Sequence, residues 1–419
     1  MLTENILRGT FHPERNAYVV GGEPAIFHCH HYNSYLQAVL MDASSYVSGI
    51  KELLHDSAQE IAFSQFKKTF DNNDQSIDER KQVVKDYFRF VGFGIIDLRD
   101  VEADGGAVET NSDHYGIAFK SKFGLQGAPV SYFTAGFISG AVEAIYGLSL
   151  GSLHAVQTKC IAMGDDLTRF DVKKSENDRS LGESQHEGSY QQYELPQPSD
   201  TEVDYSAIRN ALTNMPLEGG EATGLIDAFG VLLTRHYANY YSNISYGFLN
   251  LFTDQVGGDE IAIAAELLTE AGHVCAFNTF GGIMQSNEWN AMIKPMLSSR
   301  EDWVHGMTAV VNSLGWGFWE VQELAEDRIV MKITSGYEAN SYLGRYKEKP
   351  SIPVSFLATG GVAGLMNLIY VLDLPERAPI TLDENVYKEI SNNSGVFRAK
   401  QLKCRAQGDE YDLIEAVRQ

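Results

Sequence analysis

Pro129-Val130-Ser131, then Gly136, Gly140 and Ile145-Tyr146, then Gln157-x-Lys159-Cys160-x-Ala162-x-Gly164-Asp165, form a stretch that the chain contains twice. The second occurrence reads Pro353-Val354-Ser355, Gly360, Gly364, Ile369-Tyr370 and Gln401-x-Lys403-Cys404-x-Ala406-x-Gly408-Asp409. Upstream, Gly92-Phe93-Gly94 and Ser112 return as Gly315-Trp316-Gly317 and Ser335. Further upstream, Glu52-Leu53-Leu54 with Ala62-Phe63-x-x-Phe66 returns as Glu266-Leu267-Leu268 with Ala276-Phe277-x-x-Phe280. The blocks keep their order while the distance between copies only grows. A repeat of about half a 419-residue chain is too long for a solenoid and marks a duplicated domain. Matched residues then serve the common fold, and unmatched ones are where specialised chemistry is sought.

Ala17-Tyr18-Val19-Val20, Gly21-Gly22-Glu23-Pro24 and Ala25-Ile26-Phe27-His28 read as an opening hairpin. Apolar residues recur at three and four from Tyr32 to Phe70, as in amphipathic helices. Asp78 to Val91 reads as a helix with Asp78 as N-cap. Gly94 to Leu98 and Gly116 to Phe119 read as strands, Phe133 to Tyr146 as a helix with small residues on one side, and Cys160 to Val172 as a broken strand. In the second half, Gly317 to Val321 and Arg328 to Thr334 read as strands. Lys174 to Asp204 is rich in Ser, Glu, Gln, Asp and Pro, the composition of a linker. The expected organisation is a first domain over 1–174 carrying the hairpin, a polar linker over 175–205 and a second domain over 206–419. Each half is expected to be α+β, with hairpin-connected strands against helices.

The run Pro-Val-Ser-Tyr-Phe-x-x-Gly-Phe-x-x-Gly, followed by Lys-Cys-x-Ala-x-Gly-Asp and an apolar strand, resembles the 4-vinyl reductase domain. That domain also forms the ligand-sensing part of phenol- and xylene-responsive activators, and it is related to small subunits of the TRAPP vesicle-tethering complex. The resemblance covers about 92–172 and 315–417. It implies two homologous domains, each an antiparallel sheet packed against helices with a small-molecule pocket between, arranged as an intrachain pseudo-dimer. Such domains pair, which leaves a homodimer of the whole chain open. The family's sensors hold a structural zinc on Cys, Glu, Cys and Cys. Those positions read Ser131, Gln157, Cys160 and Thr168 here, and Ser355, Gln401, Cys404 and Asp412 in the second copy. One thiolate per copy is a poor zinc site.

Fifty-six acidic against 33 basic residues give a formal charge of −23, which repels phosphate backbones and argues against a nucleic-acid partner. No basic region followed by an apolar core opens the chain, so a cytoplasmic protein without a membrane segment is expected. Val354 to Leu372 is uncharged over 19 residues, but its three glycines, Ser355, Thr359 and Asn367 suit a buried soluble segment better than a span. No Gly-x-Gly-x-x-Gly or Walker-type loop indicates a nucleotide cofactor.

Phe27-His28-Cys29-His30-His31-Tyr32-Asn33 is the densest group of candidate ligands in the chain. His28, His30 and His31 are the candidate metal ligands, for iron or zinc, with His31, Tyr32 and His114 as catalytic candidates. Phe93, Tyr115, Tyr132 and Trp316 are the candidate ligand-binding aromatics. His31-Tyr32 recurs as His236-Tyr237, whereas His28 and His30 find no counterpart by sequence, so the working site is expected in the first half. Two functions follow. One is a small-molecule, partly aromatic ligand-binding protein. The other is a metal-dependent oxidoreductase or lyase built on the histidine cluster.

Overall fold

Gly21 and Gly22, at φ of 56° and 87°, turn the chain between β2 (Ala17–Val20) and β3 (Glu23–Cys29), the hairpin expected from sequence. The computed structural model describes residues 9–13, 16–71, 73–176, 181–183, 193–195, 197–377 and 379–419. In it, β3 is central to a five-stranded antiparallel sheet. The order is β1 (Thr10–His12), β2, β3, β9 (Val231–Tyr237), β8 (Ile226–Ala228).

In the β3–β9 pair, Phe27 lies opposite Arg235 and His28 opposite Thr234. This register is symmetric about the Phe27/Arg235 pair, so a β3 residue corresponds to the one 208 positions on, 27 to 235 and 28 to 236. Backbone hydrogen bonds on either side repeat the symmetry. The Phe27 N–H donates to the Leu314 carbonyl and the Arg235 N–H to the Val91 carbonyl, both at 2.8 Å. Leu314 and Val91 each precede a matched glycine, Gly315 and Gly92. Within this sheet His28 and His236 hold equivalent places. The sequence pairing of His31 with His236 differs from this placement: His31 lies beyond the end of β3 at Cys29, whereas His236 lies within β9, which ends at Tyr237.

Two four-stranded antiparallel sheets follow the same order. One is β4 (Val101–Glu102), β5 (Gly105–Thr110), β7 (Thr168–Lys174), β6 (Leu153–Lys159). The other is β10 (Phe318–Ala325), β11 (Arg328–Thr334), β13 (Asp412–Arg418), β12 (Phe397–Lys403). The chain is α+β, with antiparallel sheets packed against helices.

Helix Tyr132–Tyr146 packs on helix Ile50–Asp71, and helix Phe356–Met366 on helix Ile261–Gln285. Their glycines let the backbones touch. A Cβ would lie 2.0 Å from the His55 carbonyl oxygen at Gly136, and 2.1 Å from that of Thr269 at Gly360. Because backbone must move to relieve the clash, Gly360→Ala is expected to destabilise the chain by about 1–3 kcal/mol. Urea unfolding measures this, and a loss under about 0.5 kcal/mol would mean the helices separate at no cost. Asn367, in the uncharged segment after this helix, accepts the Phe397 N–H at 2.7 Å and donates to its carbonyl at 3.2 Å, which ties it to β12 inside the core. Among the described residues, no helix is long and apolar enough to cross a membrane.

Several sequence expectations are corrected. Gly116–Phe119 is helical, within His114–Phe123, because the buried Asp113 carboxylate caps that helix through the Gly116 N–H at 2.9 Å. A four-residue apolar run does not distinguish the two states by periodicity. Gly94–Leu98 is irregular, and its one ladder contact is the bridge between Asp97 and Glu109. The helix Ile77–Phe90 starts at Ser76, which forms a capping box with Glu79, so Asp78 is not its cap. Much of the expected linker lies outside the described residues. Its C-terminal end is not loose, since Val203 is fully buried and the Gln197 side chain brackets it, donating to the Val203 carbonyl at 2.7 Å and accepting the Tyr205 N–H at 3.1 Å.

Candidate ligand-binding site

Successive strand side chains point to opposite sides of a sheet, so β3 and β9 present two different faces. One face carries His28, Thr234 and His236. The other carries Phe27, Cys29, Leu233 and Arg235.

On the first face, imidazoles are embedded in aromatic rings drawn from both halves. His28 stacks on Trp316 at 4.6 Å between centroids and touches Tyr32 at 4.5 Å and Tyr241 at 4.6 Å. His236 lies 4.3 Å from Phe133, 4.7 Å from Tyr241 and 5.0 Å from Phe93, and its Nε2 is 3.1 Å from the Tyr115 hydroxyl. Asn33 joins the two halves. It accepts from the Tyr241 hydroxyl at 2.6 Å, and its Nδ2 donates to His114 Nε2 and Thr234 Oγ1, both at 3.0 Å. Accepting at Nε2 places the His114 proton on Nδ1. Burial pushes the His28 and His236 pKa values well below the usual imidazole range, and takes His114 down to about 3 with help from His30. All three are neutral at physiological pH.

The remaining histidines of the cluster face elsewhere. His30, which opens the helix His30–Asp42, accepts the Leu232 N–H at Nδ1 (3.1 Å). The His31 ring lies 3.9 Å from that of His30, and its Nδ1 is 3.4 Å from Lys122 Nζ. Burial lowers His30 to about 4, and burial with the His30 and Lys122 charges lowers His31 to about 2. Of the candidate residues, the structure brings together His28, Tyr32 and Trp316 at one end of the layer and Phe93, Tyr115 and His114 at the other. It leaves out His30, His31 and Tyr132, which is half-buried at the start of its helix and makes no ring contact with the layer. Among the described residues, no group of three or more His, Cys, Asp or Glu side chains could hold a metal ion. His28, His30 and His31 are thus not gathered into one ligand set, because the strand-to-helix junction at Cys29 parts His28 from the adjacent rings of His30 and His31. At the zinc positions of the resembled family, Ser131 and Gln157 bond to each other (2.9 and 3.3 Å), as do Ser355 and Gln401 (3.0 and 3.2 Å).

The second face borders a cavity of about 80 Å³. A water needs about 10–15 Å³ on this measure, so roughly half a dozen water-sized groups fit. Neighbouring cavities at Trp316–Trp319 and at Tyr32–Tyr241 measure about 10 Å³ and about 0 Å³. Phe11, Tyr18, Phe27, Leu212, Phe229 and Trp316 supply apolar wall. Arg235 and Arg209 supply charge. The Arg235 guanidinium lies 4.9 Å from the Tyr18 ring centroid, 4.8 Å from Phe27 and 5.1 Å from Phe90. Its Nε is shut from solvent with no hydrogen-bond partner, although the residue as a whole keeps some exposure.

Asn33, Thr234, Arg235, His236 and Tyr241 were not singled out from sequence. An arginine inside the largely buried strand Val231–Tyr237 was a legible signal, since charge is rarely placed on a buried strand without a task.

No protein-family model and no curated protein matches the chain. Among solved structures it is similar to the crystal structure of the phenol-responsive sensory domain of the transcription activator PoxR with phenol. The TM-score is 0.36 at 10% identity, covering 51% of this chain and 90% of that one. A likeness of that size carries no argument about this chain's ligand.

Proposed function

We propose that the chain is a small-molecule-binding protein whose ligand, with a flat apolar body, occupies the cavity between the β2–β3–β9 face and the Leu314–Trp316 segment. The observation that carries this reading is space: about 80 Å³ is left open among aromatic walls, beside neighbours that are packed shut. A metal-dependent reaction on His28, His30 and His31 has less support, because His28 lies among Tyr32, Tyr241 and Trp316, apart from the adjacent rings of His30 and His31.

We infer further that 1–174 and 206–419 are two copies of one 4-vinyl-reductase-like domain, related by a pseudo-two-fold through the Phe27/Arg235 pair. Supporting this, the Cys160 N–H donates to Asp165 at 2.7 Å and the Cys404 N–H to Asp409 at 2.8 Å, in matching turns of the two four-stranded sheets. The site then belongs to the junction of the copies and not to the first alone.

Phenol, benzyl alcohol and benzoate at millimolar concentration test the reading by thermal shift. At least one should raise the Tm of the native chain by about 1–3 °C. Thr213→Trp, at the exposed rim of the cavity, should abolish the shift while leaving the unliganded Tm unchanged. If no ring-sized compound stabilises the native chain, the binding reading is lost.

A further inference from the structure

Arg235 and Arg209 border the same cavity, yet no aspartate or glutamate is among its lining residues. That is unexpected in a chain with 56 acidic and 33 basic residues. Among the described residues no carboxylate lies within ion-pair distance of Arg235. Its Nε has no partner, three aromatic rings lie about the guanidinium, and the exposed Glu218 acts on it only from beyond ion-pair distance. Arg209, on the helix Tyr205–Thr213, donates through Nη2 to Asn16 Oδ1 at 3.3 Å, and among the described residues no carboxylate lies within ion-pair distance of it. A guanidinium stays charged, and a desolvated charge without a counter-ion is unfavourable. Ring faces compensate only in part, since a cation over an aromatic ring gains much less than a charge-assisted hydrogen bond to an anion. The wall thus holds unmatched positive charge at one side and apolar surface at the other.

We propose that the cavity binds a small monocarboxylate with an apolar, ring-sized body, its carboxylate meeting Arg235 with Arg209 beside it and its body lying among Phe27, Phe229 and Trp316. This rests on the small-molecule reading above and adds the charge of the ligand. A single carboxylate suits the site better than a phosphate. The walls are mostly apolar, and a doubly charged, strongly hydrated group would be left with unsatisfied oxygens there. The planar fork of a guanidinium also matches a carboxylate in geometry.

The test uses the full chain and a matched pair, benzoate and its neutral isostere benzamide, with toluene as an uncharged body alone, measured by isothermal titration calorimetry. Benzoate should bind at least about tenfold more tightly than benzamide, the difference expected for one charge-assisted hydrogen bond. Arg235→Met, which keeps the length of the side chain without its charge, should weaken benzoate by about tenfold or more and leave toluene unchanged. Arg209→Met should weaken benzoate by less, and it decides the matter if Arg235→Met fails to fold. Equal binding of benzoate and benzamide, or benzoate affinity unaltered in both variants, would overturn the carboxylate proposal while the small-molecule reading stands. If neither benzoate, benzamide nor toluene binds the native chain, both fall.

Discussion

Trp316→Ala should destabilise the chain by about 3–5 kcal/mol, the range for removing a large aromatic from a packed interior. Trp316 is 2% exposed and sits between Gly315 and Gly317 as Phe93 sits between Gly92 and Gly94. Its ring stacks on His28 with 25° between planes and lies 5.9 Å from Phe280 and 6.3 Å from Trp319. Its Nε1 donates to the Phe27 carbonyl at 2.8 Å, next to the pair about which the central sheet is symmetric. The same ring forms part of the cavity wall. Truncation therefore removes apolar burial, opens a void and orphans a carbonyl. Trp316→Phe separates these effects: the ring stays and only the donor is lost, so about 1 kcal/mol is expected. Urea unfolding of the three proteins decides it. If alanine costs no more than phenylalanine, the aromatic layer is not where the halves are held together.

The sequence made the architecture legible where the repeat was dense. The glycines at 136 and 360 announced close helix contact, and both sit against a neighbouring backbone. It misread short segments, since Gly116–Phe119 is decided by a carboxylate three residues earlier and not by its own pattern. The site was legible in part. The stretch Phe27 to Asn33 does lie at the centre of the molecule. What its spacing could not give was the reversal of side-chain direction at Cys29, where strand becomes helix and His28 parts from His30 and His31. Nor could it give the pairing of β3 with β9, a contact across about half the chain, which brings Arg235 beside Phe27 and Thr234 beside His28. Long-range register follows from the whole core and not from local residue types.

Acidification from pH 7 to pH 5 should destabilise the chain by several kcal/mol, and His28→Phe should remove about 2 kcal/mol of that loss. The sign follows from linkage. An imidazole whose folded pKa lies below 6.5 contributes stability that is fully present above 6.5 and lost as pH falls towards its folded value. Burial lowers His30 to about 4, His31 to about 2 and His114 to about 3, and holds His28 and His236 well below the usual range. At pH 5 each neutral imidazole forgoes about 2 kcal/mol relative to the unfolded chain, with less for His31, which is half-buried. Four acids act in the opposite direction. Burial raises Glu338 to about 8 and Asp412 to about 6, and holds Asp113 and Glu60 above the usual carboxylate range, so all four gain stability as pH falls. Between pH 7 and 5 Glu338 and Asp412 together return at most about 4 kcal/mol. Glu338 gives less than its share, because it keeps some exposure and accepts the Leu357 and Ala358 N–H groups at 2.9 and 3.1 Å, which favour the ionised form. Burial holds His273 and His305 low as well, and the seven imidazoles outweigh the four carboxyls. His28 is the informative one to replace, since neither ring nitrogen has a hydrogen-bond partner and a phenyl ring keeps the stack on Trp316. His28→Phe should therefore be neutral or stabilising at pH 7, where it relieves buried unsatisfied nitrogens, and should flatten the fall towards pH 5. Urea unfolding at the two pH values measures both quantities. An unchanged pH dependence in the variant would mean that His28 takes up its proton over the same pH range in the folded chain as in the unfolded one, and its burial among Tyr32, Tyr241 and Trp316 would then not hold it neutral.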